Sequence, residues 1–144
     1  MSTLAFRNVD ASPTDPVSEW PLEALQTALE RGGLADWQRL AEAIQAQPWG
    51  PIARRVEEVL AYSRPYGVAV TLERAIARAR AETEKAERES VAEEVKRLID
   101  ASGLSRAEFA SLIGTSPSRL STYASGKVTP SGALLVRMRR AAGI

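Results

Sequence analysis

Few kinds of side chain in this 144-residue sequence could do chemistry. With no Cys and no His there is neither thiol nor imidazole. That excludes disulfides, Cys/His zinc sites, Cys or Ser/His nucleophilic catalysis and histidine pH switching. Glu57 with Glu58, and Glu93 with Glu94, are sequence neighbours on helical stretches and point apart, which unfits them for shared acid–base work. The run Ser125-Gly126-Lys127-Val128-Thr129 holds the Gly-Lys pair of a phosphate loop, yet Ser121 stands at the required upstream Gly and Val128 at the required Ser or Thr. The chain reads as a non-enzyme, with no cofactor and no metal site. What remains is cation and hydroxyl chemistry near the C-terminal end, where Arg106, Arg119 and Lys127 lie among Ser105, Ser116, Ser118, Ser121 and Thr122. These groups donate positive charge and hydrogen bonds, which suits a polyanion.

The charge distribution agrees. The net charge is +1, but residues 1–70 carry 6 basic and 9 acidic side chains, residues 71–103 carry 7 and 8, and residues 104–144 carry 6 and 1. Only the last segment has an excess that would draw a polyanion. With 44% hydrophobic and 26% charged residues the composition is that of a globular protein. No apolar run approaches the roughly 18 residues of a membrane span, and the first residues lack a basic start followed by an apolar core. A cytoplasmic location is therefore expected.

The elements that must position these groups read as all-α. Residues 1–18, with Pro13 and Pro16, show no sustained period and suggest an extended or partly disordered arm. Residues 19–70 read as a small helical bundle. Its first helix, from Pro21, has Leu22, Leu25, Ala28 and Leu29 on one side and stops at Gly32-Gly33; the second carries Trp37, Leu40, Ala41 and Ile44; the third, from Pro51, carries Ile52, Val56, Val59 and Leu60. Thr71 to Ser102 has no Pro or Gly and predicts one long helix, with residues 71–90 as a linker supported by Glu84–Arg88 and Glu93–Arg97 pairs. A heptad seam through Leu72, Ile76 and Ala79 soon turns small and polar, which leaves at most a weak helix-pair contact.

Residues 91–144 are the informative part. Ser105 and Glu108 make the S-x-x-E capping box, and Leu104 with Phe109 forms its hydrophobic staple, so a helix begins at Arg106. Gly114 supplies a sharp turn, Ser116 an N-cap and Pro117 a first helical residue for the next helix. Two short helices joined by such a turn have helix-turn-helix geometry. Phe109, Ala110, Ile113, Leu120 and Tyr123 would close on Val95, Leu98 and Ile99, and a last helix from Pro130-Ser131 would add Leu134, Leu135 and Met138.

The stretch LSRAEFASLIGTSPSRLSTYASGKVTPS resembles the Cro-like, or XRE, helix-turn-helix family of phage and bacterial repressors. The resemblance covers about residues 91–142 and none of the first 70. It implies a lambda-repressor-like DNA-binding domain. Two positions depart from the family pattern: Arg106 stands where Gln is common, and Ala124 where a structural Glu is common. With Leu120 and Tyr123 turned inward, Pro117, Ser118, Arg119 and Thr122 are the expected base-edge residues, Arg119 being suited to bidentate contact with guanine. Ser105, Arg106, Ser116, Ser121 and Lys127 are the expected phosphate contacts. At about four phosphates per protomer, a dimer's log affinity would fall against log salt with a slope near −7, at about −0.9 per phosphate.

The expected function is a sequence-specific regulator of transcription that binds double-stranded DNA, as a dimeric repressor. The alternative is an antitoxin whose N-terminal half binds a toxin partner, with Trp20, Trp49 and Tyr66 as candidate contact residues, while the C-terminal domain autoregulates its operon.

Overall fold

The computed structural model describes residues 4–144 and contains seven α-helices, with no strand among those residues. They are α1 (Leu22–Arg31), α2 (Leu34–Ala46), α3 (Pro51–Leu60), α4 (Val68–Ser102), α5 (Arg106–Ile113), α6 (Pro117–Ser125) and α7 (Gly132–Ala141). The chain divides into two compact units between Thr83 and Glu84, so α4 contributes residues to both. Among the described residues no helix is long and apolar enough to cross a membrane.

In the first unit the apolar stripes of α1, α2 and α3 meet around Leu25, Leu29, Leu40, Ile44, Val56 and Val59, all fully buried. Gly32 ends α1 because the chain doubles back tightly: a Cβ there would stand 2.3 Å from the Ala28 carbonyl oxygen. Asp36 then accepts the Gly33 N–H at 2.9 Å and fixes the start of α2. Arg80 of α4 donates to the Pro48 carbonyl at 2.9 Å and to both oxygens of Glu57 at 3.1 and 2.7 Å, tying α4 to α3 and to the turn before it.

Residues 4–16 form no regular element, but they are tied down rather than loose. Leu4, Phe6 and Val9 pack against the core. The Trp20 indole N–H donates to the Ser12 carbonyl at 3.2 Å, and Arg39 donates to the Pro13 and Asp15 carbonyls at 2.7 and 2.8 Å. Residues 1–3 of the expected arm lie outside the described residues.

Three further expectations need correction. The long helix starts at Val68 instead of Thr71, because Val68 and Ala69 are buried and extend it by a turn after Gly67, whose φ is +77°. Leu72, Ile76 and Ala79, the start of the heptad seam, are buried in the first unit's own core, so residues 71–83 belong to that unit and these three positions offer no seam to a second helix. Residues 84–90 are exposed throughout. Glu84–Arg88 and Glu93–Arg97 do not pair among the described residues; Glu93 meets Lys96 at 3.4 Å, and Glu94 is taken by Arg139 at 2.8 Å.

The second unit packs α5, α6 and α7 with the end of α4 around Val95, Leu98, Phe109, Ala110, Leu120, Ala124 and Met138. Leu104 is half-buried and packs against this core, of which Phe109 is a member.

Candidate nucleic-acid interface

The site is built from local signals outward. Ser105 Oγ accepts the Glu108 N–H at 3.1 Å, and the Glu108 carboxylate accepts the Ser105 N–H at 3.2 Å, so the first turn of α5 is capped from both sides. These bonds hold the Glu108 carboxyl below the usual carboxylate value, through the Ser105 side chain first and its backbone second. α5 ends at Gly114 with φ +80°, and the Thr115 N–H returns to the Ala110 carbonyl at 2.9 Å. This is the left-handed stop that a Cβ would disfavour.

Ser116 then caps α6. Its Oγ accepts the Arg119 N–H at 3.1 Å, and Pro117 follows at the first helical position, where a missing N–H removes no bond. Leu120 and Ala124 are buried, and Tyr123 is half-buried against the same core. The opposite side of the helix therefore presents Pro117, Ser118, Arg119 and Ser121, all exposed. Ala110 of α5 is fully buried in the same core.

Thr122 differs from the sequence expectation. It is half-buried, and its hydroxyl donates to the Arg119 carbonyl at 2.6 Å, so the proton is already used. It can offer a base only its lone pairs and its methyl group. Arg106, Arg119 and Lys127 are exposed, with no ion-pair partner among the described residues. The hydroxyls of Ser105 and Ser116 accept the capping bonds and keep their protons to donate. The Ser118 N–H, the one first-turn amide of α6 without an acceptor in the helix or its cap, adds positive potential at the same end.

Ser131, read with Pro130 as the start of the last helix, is its N-cap: its Oγ accepts the Leu134 N–H at 3.1 Å, and α7 begins at Gly132. The Ser131 hydroxyl is exposed like those of Ser105 and Ser116. Of the basic residues on α7, Arg139 is neutralised by Glu94, and Arg137 reaches the turn, its Nη1 standing 4.0 Å from where a Gly114 Cβ would be.

The aromatic candidates are split. Trp20 is 0% exposed, its ring centroid 5.2 Å from that of Phe6 in an edge-to-face pair, with the Arg39 guanidinium 4.9 Å above it. It is a core residue, which corrects its reading as a partner contact. Trp49 and Tyr66 are 45% and 104% exposed. Among the described residues no cluster of acidic side chains is arranged to hold a metal ion.

Residues 95–144 match the family model described as Helix-turn-helix. This is the same C-terminal part that carries the XRE-like pattern. No curated protein and no solved structure gives a significant match to the chain.

Proposed function

We propose that the chain is a DNA-binding regulator of transcription acting as a dimeric repressor on a two-fold operator, a reading supported by the match of residues 95–144 to the helix-turn-helix family model. One observation carries the reading: a Ser-capped, Pro-initiated helix buries Leu120 and Ala124 and leaves Pro117, Ser118, Arg119 and Ser121 free on its outer side. A helix so presented fits the major groove with its N-terminal residues at base edges. Arg119 takes a guanine, and Ser118, Pro117 and the Thr122 methyl complete the readout. Arg106, Lys127 and the hydroxyls of Ser105, Ser116 and Ser121 hold phosphates and set the register.

The test is selection of binding sites from random duplexes with the full chain. The expected product is a two-fold site with half-sites about 34 Å apart or a multiple of that. Arg119→Ala should lose about 1–3 kcal/mol of discrimination at one base pair, whereas Arg106→Ala should weaken all duplexes alike. Equal behaviour of the two variants overturns the division of roles, and absence of any selected site overturns the function.

The antitoxin reading is favoured by one feature, the exposure of Trp49 and Tyr66 on the first unit, since exposed aromatics serve as interface anchors. Copurification of a co-expressed neighbouring gene product, lost in Trp49→Ala/Tyr66→Ala, would support it. Failure to copurify would remove it.

A further inference from the structure

α4 runs behind the turn that follows α6. A Cβ placed at Gly126 would stand 3.6 Å from the Ala92 Cβ and 3.8 Å from the Arg88 carbonyl oxygen, so the turn rests on α4 at these two residues. Two shallow grooves flank the contact. One, of about 320 Å³, has Lys85, Arg88, Ala92 and Lys96 on α4 facing Ser125 and Gly126. The other, of about 270 Å³, has Glu84, Glu87, Arg88 and Val91 beside Thr129. Arg88 lines both, and so brackets the turn that carries Lys127.

Helical phase places a second cation there. At about 100° per residue, Lys85 lies about 20° to one side of the Ala92 direction and Arg88 about 40° to the other. Both are therefore on the face that meets the turn. Glu89 and Glu93 edge the first groove further round the helix, and Glu93 is engaged with Lys96 at 3.4 Å. Neither Lys85 nor Arg88 has an ion-pair partner among the described residues, and both are exposed.

We infer that Lys85 and Arg88 form a second phosphate-holding strip, gripping the DNA backbone beside the stretch held by Lys127; this rests on the duplex-DNA reading above. Both residues lie before the segment matched by the family model, which begins at residue 95. Three residues of helix advance about 4.5 Å and the two positions diverge by about 60° around α4, so the two long, flexible side chains can spread to neighbouring phosphates of one strand. The strip adds affinity and salt dependence without sequence preference. The acids interleaved with it keep its long-range field small, so it engages after Lys127 has brought the backbone near.

The experiment measures affinity of the full chain for a selected duplex as a function of salt. Lys85→Ala/Arg88→Ala should make the log–log slope shallower by about 1.8 per protomer, at about 0.9 per phosphate, with the ranking of duplexes unchanged. The charge-keeping pair Lys85→Arg/Arg88→Lys should retain the wild-type slope. A wild-type slope in the alanine pair, or an equal fall in the charge-keeping pair, overturns the strip while leaving the proposed function standing. A wild-type chain that binds no duplex at low salt overturns that function, and the strip with it.

Discussion

Arg139 on α7 and Glu94 on α4 are joined at 2.8 Å, so the last helix of the second unit is pinned to its first. The Arg139 hydrogen bond holds the Glu94 carboxyl below its usual value of 4.5, with the charges of Arg139 and then Arg97 adding to it. Glu57 is lowered in the same sense by Arg80 in the other unit. A carboxylate with a depressed folded-state value contributes stability that is fully present above the unfolded-state value and is lost as pH falls through the folded one. Melting temperature should therefore hold from neutral pH down to about 4.5 and fall below it. Glu57→Gln and Glu94→Gln should each flatten part of that fall, read by thermal melts across pH. Arg139→Ala should leave the salt dependence of DNA binding unchanged, because its charge is already engaged.

The two border tryptophans should separate cleanly. Trp20 is fully enclosed, and its indole N–H is bonded to Ser12. Trp20→Ala should cost about 3–5 kcal/mol and release residues 4–16, seen in denaturant melts and in faster proteolysis near the N-terminus. Trp49→Ala, at a position 45% exposed, should stay within about 0.5 kcal/mol of wild type. A large loss from Trp49→Ala would show that it supports the fold.

These two residues also show what was legible in the sequence. Both sit at helix borders with the same local pattern, and local pattern cannot say which one the chain folds over. The burial of Trp20 depends on Phe6 from one side and Arg39 from another, contacts far apart along the chain. The helix-turn-helix was readable because its signals act within a few residues: Ser105 with Glu108, Gly114 at its turn, Ser116 with Pro117. The start of α4 was misplaced because burial of Val68 and Ala69, not propensity, decides it. The pairing of Glu94 with Arg139 was invisible for the same reason: a partner 45 residues away leaves no periodic trace. At the interface, the exposed set on α6 followed from helical phase, whereas the use of the Thr122 proton by a backbone carbonyl did not.

Gly114 offers a direct test of the turn. With φ +80° it occupies a conformation that a Cβ makes costly by about 1–2 kcal/mol. Gly114→Ala should lower stability by about that amount, and Gly114→Asn by less, since Asn tolerates the left-handed region. Both variants keep every side chain proposed to contact DNA. Affinity measured well below the melting temperature should thus change much less than stability; a collapse of binding in a folded Gly114→Asn would mean that the turn itself touches DNA.

In the proposed base readout, Thr122 separates two ways of recognising a base. Because its hydroxyl donates to the Arg119 carbonyl at 2.6 Å, the group it offers most freely is its methyl, which can lie against the methyl of a thymine. Thr122→Val keeps a methyl in place and removes only a hydroxyl that is committed to the backbone. Thr122→Ser keeps the hydroxyl and removes the methyl. In competition assays with duplexes differing at one A·T pair, Thr122→Val should preserve the thymine preference and Thr122→Ser should lose it. The reverse order would mean that binding frees the hydroxyl to contact the base directly, and that the bond to Arg119 belongs to the unbound protein alone.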